Sequence, residues 1–301
     1  MNAPLARGAG LTLATALAPS AWGTTYVVTT ELLPAGYPLF AGLARALPAG
    51  LLALAFTRTL PHGVWWWRAA VLGTLNIGAF FPLLFVTADR LPGGVAATMG
   101  AAQPLLVAAL AVGLLREPPS AWRCGWGLVG VLGVGLVVLG PAARFDAAGI
   151  VAGLAGTASM ALGVTLTKRW GRPTGVGPMA FAGWQLAAGG LVLIPVTLTV
   201  EGVPVGVDGP ALLGYAWLGL VGGLVAYTLW FRGVVQLPVA SVAVLGLLSP
   251  LVAATLGAVL LGQALGPVQL AGFALALASI VAGQVAPRRP LLPTGAVPVL
   301  R

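Results

Sequence analysis

One charged side chain stands inside an otherwise apolar stretch of this sequence. Arg45 lies within the run 38–57, which holds no acid and no other base. A guanidinium at the depth of a bilayer costs roughly 2.5–3.5 kcal/mol on insertion scales, so its presence points to a specific partner. Two partners fit its chemistry. In a wet cavity it would meet a substrate carboxylate, as a bidentate pair where geometry allows; in a packed interior it would hold backbone carbonyls at a helix break. Asn76, Gln103, Gln185 and Ser249 are uncharged polar residues inside other apolar runs. Such side chains serve either as hydrogen bonds between helices or as ligand contacts. Trp22, Tyr26, Phe80, Phe81, Phe85, Trp184, Tyr227 and Trp230 would line a cavity, or else pack the core or face lipid. The substrate-binding candidates are therefore Trp22, Tyr26, Arg45, Asn76, Phe80, Gln103, Trp184, Gln185, Tyr227, Trp230 and Ser249.

Catalytic chemistry is poorly provided for. No carboxylate pair falls inside an apolar run, and the one histidine, His62, sits in a predicted loop. A single cysteine, Cys124, excludes an intramolecular disulfide and a multi-cysteine metal site. The glycine-rich stretch from Gly127 to Gly140 lacks the Lys-Ser/Thr of a phosphate loop and reads as a close-packing helix face. No catalytic set, metal or cofactor is expected.

The elements that position these residues follow from composition. The chain is 59% hydrophobic and 7% charged, against about 25% charged in a soluble domain. Most of its surface must face lipid, where backbone groups need internal partners and only helices or closed barrels suffice. Runs such as Val95 to Leu115 do not alternate apolar and polar residues as barrel strands do. Apolar segments at 10–31, 38–57, 68–88, 93–115, 123–141, 147–167, 177–200, 211–231, 238–261 and 265–286 each approach the roughly 20 residues of a spanning helix. Short joints rich in Pro and Gly separate them. Ala16-Leu17-Ala18 resembles a signal cleavage site, but Pro19 directly after it disfavours cleavage. Trp65-Trp66-Trp67 beside Arg68 reads as an interfacial belt. The proline-rich tail 287–301 reads as disordered. The net charge of +9 is scattered between apolar runs, so nucleic acid is not an expected partner.

Orientation follows from the placement of Lys and Arg, which concentrate in cytoplasmic loops. With the N-terminus inside, every basic residue except Arg45, Arg90 and Arg144 falls inside, while Glu31, Asp89, Asp146, Glu201 and Asp208 fall outside. Both termini are thus expected in the cytoplasm of a cell membrane. The sequence also repeats. Leu91-Pro92, Gly100 and Pro104-Leu105 recur as Leu237-Pro238, Gly246 and Pro250-Leu251, and Phe40-Ala41-Gly42 recurs as Phe181-Ala182-Gly183. The expected fold is all-α, with ten transmembrane helices arranged as two inverted five-helix repeats, 10–141 and 147–286. In such folds substrate sits between the halves near the bilayer midplane. Pro104 and Pro250, at matching places, predict matching helix bends. Proton relays need Asp, Glu or His within the spans, and the central parts of these spans hold none. A facilitator or a gradient-driven exchanger is the expectation.

The ordered motifs resemble the EamA family of the drug/metabolite transporter superfamily over about residues 10–286. Trp22-Gly23-Thr24-Thr25-Tyr26 is similar to the family's opening helix, and Pro38 followed by Arg45 to its second. Leu91-Pro92 through Pro104 to Glu117 resembles its fourth helix, and Lys168-Arg169 stands where its sixth often ends. The second half departs from the first, with Gln263 where an acid matching Glu117 would stand and with Trp184 and Gln185 near the place of Arg45. The resemblance implies ten helices, both termini cytoplasmic, and transport, often export, of amino acids, related metabolites or drugs. The alternatives are an intramembrane enzyme and a non-transporting membrane sensor.

Overall fold

A computed structural model describes residues 3–90, 100–118, 120–138, 146–260, 262 and 266–284. Among the described residues there are helices and no strands. Helix α1 (Ala3–Gly23) breaks at Thr24 and continues as α2 (Thr25–Leu32). Helix α3 (Pro38–Thr57) follows. Helix α4 (Trp65–Gly73) passes through a π turn (Thr74–Gly78) into α5 (Phe80–Arg90). Helix α6 (Gln103–Leu110) ends in a π turn (Ala111–Leu115), and α7 is Ala121–Val138. Then come α8 (Ala147–Trp170), α9 (Pro178–Val200), and α10 (Gly209–Trp217), which runs through a π segment (Leu218–Val225) into α11 (Ala226–Gln236). Helices α12 (Val239–Leu245), α13 (Leu248–Leu260) and α14 (Pro267–Gln284) complete the series. Seven of the continuous helical stretches are long and apolar enough to cross a membrane. The segment expected at 93–115 is described only from residue 100, and the tail 287–301 lies outside the described residues.

The starts and breaks have local causes. Proline opens α3, α9 and α14, where its missing N–H costs nothing. Asp146 and Asp208 cap α8 and α10, their carboxylates accepting from Gly149 N at 2.7 Å and Ala211 N at 2.8 Å. The Glu201 carboxylate, at the end of α9, accepts from Leu39 N and Phe40 N at 2.9 and 3.0 Å and so caps α3 from another helix. Both expected proline sites lie just beyond a break. Ala102 precedes α6, with Pro104 in its first turn. Gly246 and Leu247 separate α12 from α13, where short i+3 hydrogen bonds replace the α ladder. Pro250 stands in the first turn after that break.

Packing then sorts the helices into pairs. The most extensive contacts are α3 with α9 and α7 with α14. Helix α5 lies along α8, as α1 lies along α11; the 74–78 π turn meets α9, as the 218–225 π segment meets α3; α6 touches α8, as α13 touches α1. Each contact has a counterpart on exchanging the two halves of the sequence. Small residues let these backbones approach, since lipid supplies no hydrophobic drive between helices. A Cβ on Gly133 would stand 2.8 Å from Gly272 O, and one on Gly50 would collide with the Ala187 backbone. Gly133 belongs to the glycine-rich face read from the sequence. The tryptophan belt needs correction. Trp66 and Trp67 are exposed, but Trp65 is turned inward, packed on Phe181 and Trp184. Three successive helical positions point in three directions, so one of the rings had to face the core.

Candidate functional site

The π segment 218–225 builds the site around Arg45. A π turn widens the helix and leaves a carbonyl outside the regular ladder, which is why such turns mark functional positions. Gly222 O receives two side-chain donors there: Arg45 Nη2 at 3.0 Å and Trp22 Nε1 at 2.9 Å. A Cβ on Gly222 would make ordinary van der Waals contact with the guanidinium, 3.5 Å from Arg45 Nε. Three rings surround the cation, with Arg45 Cζ 5.5 Å from the Phe81 centroid, 5.9 Å from Tyr227 and 6.0 Å from Trp22. Each is within reach of a cation–π attraction. Trp230 joins the group through Trp22, at 5.2 Å between centroids, and Phe80 stacks on Phe81 at 5.8 Å. The cage therefore draws on α1, α3, α5, the π segment and α11.

Arg45 is 8% exposed. Its guanidinium packs against a carbonyl and three rings, the packed-interior setting of the two the sequence left open. One cavity of about 250 Å³ is lined by residues that include Leu105, Glu117, Arg123 and Ala240, and another of about 620 Å³ by residues that include Leu11, Arg232 and Gln236; Arg45 lines neither.

Asn76 and Gln185 form a second polar group. Both are fully buried. Asn76 Nδ2 donates to Gln185 Oε1 at 3.0 Å and approaches Thr167 Oγ1 at 3.4 Å, while Asn76 Oδ1 and Gln185 Nε2 have no hydrogen-bond partner. Asn76 sits in the 74–78 π turn and Gln185 on α9. Counted from the prolines that open α3 and α9, Arg45 and Gln185 hold the same position. The Arg45–Gly222 contact thus has a counterpart in Gln185–Asn76.

The remaining candidates are dispersed. Trp184 donates from Nε1 to Thr59 O at 2.7 Å and stacks with His62, Trp65 and Phe181, away from Arg45. It joins the cage only through Phe181, Phe231 and Tyr227 in turn. Tyr26 is exposed on α2 beyond the helix break. Gln103 and Ser249 are half-buried at the starts of α6 and α13, and Gln103 Nε2 has no partner. The side chain of Phe85 lies outside the described residues. Sequence reasoning missed the Gly222 carbonyl and Thr167. The paired glycines of Leu218–Val225 were the one available sign of the first. Among the described residues no three His, Cys, Asp or Glu side chains are gathered to hold a metal ion.

Comparison with known proteins follows the same division in two. The sequence model of the EamA-like transporter family matches residues 8–139 and again 147–282. Protein PecM of Dickeya dadantii is 46% identical over 264 residues, covering 88% of this chain and 89% of that protein. The uncharacterized transporter YwfM of Bacillus subtilis is 28% identical over 281 residues, covering 89% and 91%. A chloroplastic WAT1-related protein of Arabidopsis thaliana is 28% identical over 276 residues, covering 86% and 66%. A solved protein crystal structure superposes with a TM-score of 0.78 over 91% of this chain and 96% of that one, at 19% identity, a likeness of fold.

Proposed function

From the premise that the chain belongs to the EamA-like transporter family, and so is a multi-pass membrane transporter, we propose that it carries small metabolites out of the cell. Amino acids and related amphipathic compounds are the substrate range. The Arg45 cage is the observation that carries this reading, because its partners come from both halves of the chain. A site between inverted halves is what alternating access requires. The proposed frame is ten spans in two inverted five-helix repeats, 10–141 and 147–286, in the cytoplasmic membrane with both termini inside. Its support is the double family match, the seven long apolar helices, two shorter ones at Gln103–Leu115 and Ala121–Val137, and the paired contacts. The absence of an acid or histidine from the central spans favours a facilitator or exchanger over a proton-coupled pump.

The test is an unbiased comparison of metabolites released by cells with and without the protein, followed by flux of the differing compounds in proteoliposomes. A compound released only with the protein, and carried by the purified protein, is the expected result. Equal release and no flux would defeat the transport reading.

A further inference from the structure

Two donors of the Arg45 cage are left without a partner. Arg45 Nε and Trp230 Nε1 are buried without a hydrogen-bond partner, and their side chains are 8% and 1% exposed. Neither atom can accept a hydrogen bond. Gly222 O already takes Arg45 Nη2 and Trp22 Nε1, and the Tyr227 hydroxyl, which can donate or accept, carries no charge to balance the guanidinium. No acid lies on α1, on α3 or anywhere in 218–236. Asp89, the only acid on α5, stands eight residues from Phe81, roughly 12 Å along the helix. Glu201, Asp146 and Asp208 are committed to helix N-termini. A buried guanidinium with no counter-ion is strongly unfavourable, so the cage lacks an anion. Flat ring faces from Trp22, Phe81 and Tyr227 complete it.

On the basis of the transport reading of this site, we propose that the substrate is a planar organic carboxylate that carries no ammonium group. Its carboxylate takes the Nε side of Arg45 and the Trp230 indole N–H, and its conjugated portion stacks among the rings. An α-ammonium would meet the guanidinium with no acid to receive it. This narrows the range given above by removing zwitterionic amino acids.

The test uses the full chain in nanodiscs with three probes of one shape: 1-naphthoate, its neutral amide 1-naphthamide, and the cationic 1-naphthylmethylamine. Binding is read by titration calorimetry. Wild type should bind naphthoate at least about tenfold more tightly than either other probe, the margin of a charge-assisted pair. Arg45→Gln should bring naphthoate down to the level of the amide. Trp230→Phe keeps the ring and removes the N–H, so it should weaken naphthoate several-fold and the amide, whose neutral carbonyl is a weaker acceptor, by less. Amide or amine binding as tight as naphthoate would overturn the proposal, as would an Arg45→Gln protein that keeps the preference. If Arg45→Gln does not fold, the wild-type probe series and Trp230→Phe decide the matter. Proteoliposome flux of the cell-derived metabolites runs alongside. Flux of a zwitterion or cation with no preference for naphthoate would defeat this inference and leave transport standing, whereas no flux of any compound would defeat transport.

Discussion

Gly223 and Gly219 lie one turn apart in the segment that faces Arg45, yet their surroundings differ. A Cβ on Gly223 would stand 2.6 Å from Arg45 O and 3.0 Å from Ala49 Cβ, whereas one on Gly219 would meet nothing closer than Ala44 O at 3.5 Å. Gly223→Ala should therefore lower thermal stability by about 1–3 kcal/mol of overpacking, with Gly219→Ala close to wild type, in a matched melting comparison in detergent. The same residues show what the sequence could reveal. Arg45 was legible as a residue in need of a partner because a charge in an apolar run needs a reason, while the aromatic rings stood open between a cavity lining, the core and a lipid face. The Gly222 carbonyl was not legible, because an acceptor freed by a widened turn belongs to the backbone and has no residue type of its own. Trp184 was misplaced for a related reason. Its type fits a cavity lining, but its indole N–H is held by Thr59 O.

At the scale of elements, two helix ends are tied across the molecule, whereas Asp146 and Asp208 cap their own helices. Glu201 offers both carboxylate oxygens to the first turn of α3. Glu201→Ala should cost about 1–2 kcal/mol of stability through the lost cap, and Glu201→Gln less, since an amide still supplies one acceptor; chemical denaturation of the two variants would rank them. Lys168 closes the other end, donating from Nζ to Val235 O at 2.9 Å and Leu237 O at 2.8 Å, the last carbonyls of α11 and its continuation. Lys168→Met should keep the apolar stem and lose both bonds. Amide exchange should then quicken around residues 235–237 and stay unchanged on α3. Helix boundaries were legible to within a few residues wherever proline opens a helix or an acid caps it. The π turns were not, since their sequences fit an α-helix equally well; two of the three meet α9 or α3 in the fold.

For the whole molecule, the proposed orientation makes a direct prediction. Reporter fusions in the 58–68 and 168–172 loops and after residue 284 should read as cytoplasmic, and fusions near Gly36 and Asp208 as external; an external C-terminus would break the ten-span frame. Flux in proteoliposomes should proceed without stoichiometric proton movement, as followed by an entrapped pH dye, and tight proton coupling would remove the facilitator reading. Exchange of halves preserves the helix contacts but not their charge, since Arg45 facing Gly222 becomes Gln185 facing Asn76. A carrier with chemically equal halves would present one and the same site to either face of the membrane. This one has a front and a back. A passive cycle must still obey detailed balance, so its efficiencies in the two directions are equal for a neutral solute and differ only through the membrane potential for a charged one. What unequal halves alter is how each efficiency divides between half-saturation and turnover. Tight, slow loading on one face and loose, fast loading on the other would let such a protein idle at low metabolite levels and act as an overflow valve at high ones, with no energy input.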